Sequence, residues 1–202
     1  DLIHISHNIK QDLLNVFDWL DERGDLTIKI DYKARQITGS MPNTESKNHK
    51  DLESDINKFL DALAYDFEQF EITDFATNVA KHIQFNIELL PFDFTKATSG
   101  LCVKINDKYL IFFNCNRTKV LQDHIIVHEL GHIVLQHKLI PMIALNSLIE
   151  IRLRSYTDTK TYSGKEEKEA EKFSQHVLMR VMSSRRHIIL NANTTIVPLF
   201  TE

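Results

Sequence analysis

Residues His128-Glu129-Leu130-Gly131-His132 set two imidazoles and a carboxylate in one short run. In a helix, residues four apart share a face, about 40° apart around the axis. Both imidazoles then aim at one point, where a divalent metal can sit. Glu129 lies about 100° round from His128, beside that point rather than on it. From there a carboxylate can take a proton from a metal-activated water and deliver it to a leaving amine. The spacing predicts zinc-dependent hydrolysis of a peptide bond. Two histidines on a helix can also be ordinary polar positions, and such a pentad arises by chance in some chains. The flanks favour chemistry. Within Val120 to Ile140, residues Ile125, Ile126, Val127, Leu130, Ile133, Val134 and Leu135 make the helix apolar nearly all round, which predicts burial. Buried imidazoles and a carboxylate cost on the order of several kcal/mol unless something partners them, and a metal does so.

A catalytic zinc usually has three protein ligands and one open position. Candidates for the third are Glu166, Glu167, Glu169 and Glu171. With Glu167 as the zero of angle, Glu171 falls at about 40°, Ala170 at about 300°, Ser174 at about 340° and Leu178 at about 20°, whereas Glu169 falls at about 200°. Glu167 and Glu171 therefore share the small and apolar face, and Glu169 is expected on the solvent side with Glu166. Glu167 is the choice for the ligand. Glu171, one turn on, is placed to accept a hydrogen bond from a ligating imidazole. The competing reading of this charge-laced run is a solvated helix start, and Glu169, Glu171 and His124 remain alternatives.

These residues need elements to hold them. Residues 4–23 and 51–70 have helical apolar spacing, and Leu26 to Tyr32 alternates like a strand. Residues 39–50 read as a polar loop and the best linker. Thr73 or Asp74 is the expected cap of a short helix reaching about His82. Asn86 to Leu90 reads as a strand ending at Pro91. Leu101 to Asn106 and Tyr109 to Asn114 read as a hairpin turning at Asp107-Lys108. The metal helix follows Asn116-Arg117-Thr118. Residues 139–155 read as helix, 156–165 as polar loop, and Glu166 to Met182 as a strong helix. The expected architecture is α+β: a small antiparallel sheet carrying the metal helix and the Glu helix (residues 73–202), preceded by a mainly helical region of unassigned role (residues 1–72).

The 202 residues are 43 % hydrophobic with net charge -4, which suits an ordinary globular chain and lacks the basic runs of a phosphate-binding surface. Direct nucleic-acid binding is not expected. Cys102 and Cys115 read as core or near-core residues, not as a cysteine-stapled scaffold. No segment reads as a signal peptide or a membrane helix, so the cytoplasm is the expected compartment.

The chain resembles the ImmA/IrrE metallopeptidases in Leu110-Ile111-Phe112-Phe113-Asn114 with Arg117, in His128-Glu129-Leu130-Gly131-His132, and in Glu167-Lys168-Glu169-Ala170-Glu171-Lys172-Phe173-Ser174 with Val177-Leu178-Met179. The resemblance spans roughly residues 73–182. It departs from the family pattern at Glu171, where Asn or Asp is usual, at Ser174 for Ala and at Arg180 for Pro. The resemblance implies a zincin-like, gluzincin-type core with Zn2+ held by His128, His132 and Glu167, and Glu129 as general base. It also implies a protein substrate, a helix-turn-helix repressor of a phage, mobile element or stress regulon. The alternatives from other classes are a non-cleaving, metal-stapled anti-repressor module and a toxin-associated protein.

Other residues are weighed alongside. His124 extends the histidine stripe by one turn, and reads as a packed or hydrogen-bonded residue before a second metal position. His137 and His176 read as surface or helix-end residues. Tyr156 and Tyr162 precede the Glu helix, where a phenol can donate to a developing oxyanion. Arg117 reads as a helix-start or substrate-groove residue. The strand Leu110 to Asn114 is a candidate edge for pairing with an extended substrate.

Overall fold

The computed structural model describes residues 7–23, 49–95, 98–105, 107–137, 139–144, 147–155 and 164–194. In chain order they form α1 (His7–Glu22), α2 (His49–Ala62), a short 3-10 helix (Phe67–Gln69), α3 (Ile72–Ile83), β1 (Asn86–Phe92), β2 (Thr98–Ile105), β3 (Lys108–Asn114), α4 (Lys119–Val134), β4 (Ile140–Ala144), β5 (Ser147–Ser155) and α5 (Gly164–Thr194). The strand proposed at Leu26 to Tyr32, the polar loop before His49 and the apolar tail beyond Thr194 lie outside the described residues.

The strands make one sheet in the order β1-β3-β2-β5-β4. Its class is α+β, but the sheet is mixed, not antiparallel: β1 runs parallel to β3, and the remaining pairs are antiparallel. The chain reverses into β2 and again into β3, so β3 regains the direction of β1 and seats against it. Pro91 does not end β1; it pairs opposite Phe113. An edge strand tolerates a residue with no N–H to offer. The β2–β3 hairpin turns one residue earlier than predicted, since Ile105 pairs with Lys108.

In place of the helix expected over 139–155 stand β4 and β5, paired antiparallel. Ile149, Ile151 and Leu153 alternate with Glu150, Arg152 and Arg154, the period of a strand. β2, buried from Thr98 to Val103, supplies a partner from Thr98 to Ile105. The predicted helix over 51–70 is also cut short. Ala64 has a positive φ of 49°, and the Asp66 carboxylate then caps the 3-10 helix by accepting from the Glu68 N–H at 2.9 Å. For α3 the cap is Glu71, not Thr73 or Asp74; its carboxylate accepts from both of their N–H groups.

Alternation along β2 and β3 divides the core. Leu101, Val103, Leu110 and Phe112 meet Val16, Phe17 and Leu20 of α1. Cys102 and Ile111 meet α3, α4 and α5 through Val79, Val127, Leu130, Phe173 and Val177, with Leu52, Ile56 and Leu60 of α2 in the same cluster. Cys115, in contrast to its expectation, is exposed just past β3; Cys102 is buried, and neither is in a disulfide.

Candidate metal centre

α4 is buried without a break from Ile125 to Ile133, as its all-round apolarity predicts. Its closest neighbour is α5, and glycine sets the approach. A Cβ on Gly131 would stand 3.1 Å from Phe173 Cβ and 3.2 Å from the Ala170 backbone. With no side chain at 131 and only a methyl at 170, the two backbones come together, and the carboxylates on either side of Ala170 meet the imidazoles of α4.

The predicted ligands converge. His128 Nε2 lies 3.0 Å from His132 Nε2 and 3.2 Å from Glu167 Oε2, and His132 Nε2 lies 3.4 Å from Glu167 Oε1. One ligand atom from each residue lies within 4.8 Å of the others. Zinc with ligands at about 2.0–2.1 Å in a tetrahedron spaces them about 3.3 Å apart, so these atoms already stand near the edges of such a polyhedron. The donor set agrees. Both nitrogens of His128 face carboxylates, Glu167 through Nε2 and Glu171 through Nδ1 at 3.3 Å. A neutral imidazole has one N–H and serves one of them; a cation suits the other side. Burial pushes the Glu167 carboxyl upward, but hydrogen bonds from His128 and His132 outweigh it and hold the group far below the usual carboxylate range. The site therefore keeps an anionic oxygen beside two imidazole nitrogens, whose lone pairs face an ion when the ring protons sit on Nδ1.

Glu129 is fully buried. Its neighbour on β2 is Gly100, where a Cβ would come 3.1 Å from Glu129 Oε1 and 2.8 Å from Ile125 Cγ2. Only glycine at this place in β2 leaves room for the carboxylate. Glu171 faces the His128 ring and also His124, whose Nε2 is 3.4 Å from the same Oε2. Hydrogen bonds from His124 and then His128 hold Glu171 well below the usual carboxylate range, against burial. His124 Nδ1 in turn meets Ser174 Oγ at 3.0 Å. His124 is thus a hydrogen-bonded neighbour of the cluster. Ser174, buried, takes up a contact that Ala could not make.

Sequence reasoning missed a second arm. His137, expected as a surface or helix-end residue, does stand just past the end of α4, but its side chain is only 5 % exposed; its Nδ1 is 2.7 Å from His132 Nδ1, and its Nε2 is 3.1 Å from Glu169 Oε2. Glu169, expected in solvent, is 15 % exposed. A wheel drawn on one helix ranks its faces but does not reveal what flanks it, and the turn after α4 lies against the side of α5 opposite Glu171. His137 stands beyond the end of α4, so helical spacing gives no sign of it. His176, on α5, meets Asn57 of α2.

One further expectation changes, while Arg117 keeps its helix-start place. β3 is not a sheet edge, because β1 covers it along its whole length; it cannot pair with a substrate. Arg117 belongs to the turn into α4, its N–H donating to the Asn114 carbonyl and its carbonyl accepting from Gln122 Nε2. Tyr156 and Tyr162 lie outside the described residues.

Comparison with known proteins adds one match. Residues 83–181 fit the family Peptidase_M78, described as the IrrE N-terminal-like domain. That span holds β1 to β5, α4 and the part of α5 that carries Glu167, Glu169 and Glu171. No curated protein and no solved structure matches the chain. The match supports an ImmA/IrrE-type family and a metallopeptidase-type function.

Proposed function

We propose, from the premise that residues 83–181 form an IrrE N-terminal-like domain, that the chain is a zinc-dependent endopeptidase with a zincin-like active site. The observation that carries this reading is the convergence of His128, His132 and Glu167 ligand atoms within 4.8 Å of one another, next to the buried Glu129. His128, His132 and Glu167 hold the ion. When bound, zinc supplies a Lewis acid that polarises the scissile carbonyl and lowers the pKa of a water toward neutrality.

The chain's own residues do the rest. Glu129 accepts the proton of the attacking water and passes it to the leaving amine. Gly100 leaves the space in which that carboxylate sits. Glu171 accepts the Nδ1 proton of His128, which leaves Nε2 free as a donor of electrons to the ion and makes it more basic. α2 packs into the core cluster beneath α4 and α5, and α1 packs into the other cluster, on the opposite face of the sheet.

The substrate in this reading is a helix-turn-helix repressor, cut in the cytoplasm without contact between this chain and DNA. The net charge of -4 suits that. No helix among the described residues is long and apolar enough to cross a membrane. The test is Glu129→Gln: zinc stays bound, while cleavage of helix-turn-helix repressors, followed by mass spectrometry of the fragments, falls by about 10²–10⁴-fold. Full cleavage by the zinc-loaded variant rejects the role of Glu129. An intact repressor held by the wild type in a zinc-dependent complex supports the non-cleaving module instead.

A further inference from the structure

We infer that His137 and Glu169 are positioning residues that hold His132 in its metal-ligating form, through a hydrogen-bonded relay distinct from the carboxylate that backs His128. The inference rests on the metal-centre reading above.

The helix end builds the first contact. α4 stops in a Schellman arrangement: the His137 N–H donates to the His132 carbonyl at 2.9 Å, and the Gln136 N–H donates to the Ile133 carbonyl at 3.1 Å. Gln136 takes the left-handed conformation this requires, with φ of 55°. In such a motif the residue after the left-handed one returns against the last full turn, usually with an apolar contact. Here the returning residue is His137 and the residue it meets is His132. The backbone that terminates the helix therefore delivers one imidazole to the other, Nδ1 to Nδ1 at 2.7 Å.

Proton count then fixes the direction of the relay. A neutral imidazole that ligates through Nε2 carries its hydrogen on Nδ1. His132 Nδ1–H therefore donates to His137 Nδ1, which must be the bare nitrogen. The hydrogen of His137 is then on Nε2, and that group donates to Glu169 Oε2 at 3.1 Å. Every hydrogen bond points away from the metal position and ends on a carboxylate, with Lys165 Nζ 3.7 Å from its other oxygen. No other assignment of the neutral rings satisfies both contacts. His128, by comparison, reaches its carboxylate directly. Partners that orient a ligating imidazole in this way typically account for about 10–100-fold in metal affinity.

The test uses the full chain and zinc competition against a chromophoric chelator, with long-range 1H–15N spectra of the imidazoles. The zinc-loaded wild type carries protons on His132 Nδ1 and His137 Nε2. His137→Leu, which fills the space but accepts nothing, binds zinc about 10–100-fold more weakly. His137→Asn restores an acceptor near the Nδ1 position and recovers most of that loss, which a purely structural role for the ring would not give. Glu169→Gln keeps an acceptor and weakens zinc least. If His137→Leu does not fold, the wild-type tautomers and Glu169→Gln decide. His137 protonated on Nδ1, or zinc affinity in His137→Leu within about twofold of wild type, overturns the relay. His128→Ala is the control. If it loses zinc while His137→Leu does not, only the relay falls; if it retains zinc like the wild type, the metal centre itself is wrong and the relay falls with it.

Discussion

The interface of α4 with α5 and the interface of α1 with the loop between β1 and β2 both bury polar groups, to different ends. Behind α1, the buried Asp12 carboxylate accepts from the Thr95 and Thr98 hydroxyls, each at 2.7 Å, and from the Thr95 N–H at 3.4 Å. Asn114 donates to the Phe94, Thr95 and Thr98 carbonyls and accepts from the Asn116 N–H. Each of these donors meets an acceptor, the Asp12 carboxylate, Asn114 Oδ1 or a backbone carbonyl, and the bonds tie α1 and β3 to Thr95 and Thr98. Between α4 and α5, by contrast, two ring nitrogens and the Glu167 carboxylate converge on one point, within 3.4 Å of one another. The difference teaches that burial of polar groups does not mark a site. Convergence of lone pairs on one point does.

The comparison breaks most severely if Asp12 proves necessary for metal. Asp12→Ala leaves two hydroxyls and an amide without their acceptor, and at about 1–3 kcal/mol for a buried unsatisfied group the net loss of stability should be about 3 kcal/mol. Zinc per folded chain should not change. Urea unfolding and elemental analysis of the folded fraction check both halves; a fall in zinc at full folding would tie the two interfaces together.

Gly131→Ala is the next largest. Its methyl would contact Phe173 Cβ at 3.1 Å and the Ala170 backbone at 3.2 Å, so α4 and α5 must part slightly, at about 1–3 kcal/mol. Because the contact point lies between the ligands, zinc affinity should fall as well as stability. Unfolding and chelator competition, run together, sharpen the contrast with Asp12→Ala, which should move only the first.

The smallest effect lies far from both interfaces. Glu71 caps α3, and Glu71→Ala should cost about 1 kcal/mol at neutral pH. The Thr73 side chain lowers the Glu71 pKa most; burial opposes it, and the Asp74 and Thr73 amides add to the lowering, which prevails. A carboxyl lowered on folding contributes stability that is present above its unfolded pKa and lost as pH falls through its folded one. The cost of the substitution should therefore be full at neutral pH and shrink below pH 4.5, the ordinary value. Thermal unfolding of both proteins between pH 7 and about 3 checks this; a cost independent of pH would contradict it.

The parts legible in the sequence are those in which one element carries its own signal. The His128 and His132 spacing, the apolar girth of α4, and the shared face of Glu167 and Glu171 are all periodicities of single helices, and the structure keeps them. What was not legible depends on a neighbour or on the chain's exit from an element. β5 is a strand because β2 offers it an edge, and β4 because β5 then offers one; the alternation of Ile149, Ile151 and Leu153 was the sign of this in the sequence. β3 lost its presumed free edge to β1, a pairing between segments separated by β2. Glu71 caps in place of Thr73 because its longer carboxylate reaches both following amides. His137 has no spacing rule to expose it, since Gln136 turns the chain out of the helix before it.

The central claim is that His128, His132 and Glu167 together hold one metal ion. Metal content of the purified wild type and of Glu167→Ala, by elemental mass spectrometry with no metal added, tests it most directly. The account predicts about one zinc per wild-type chain and loss or sharp reduction in the variant. A wild type without metal after reloading, or a variant that keeps its zinc, would contradict it.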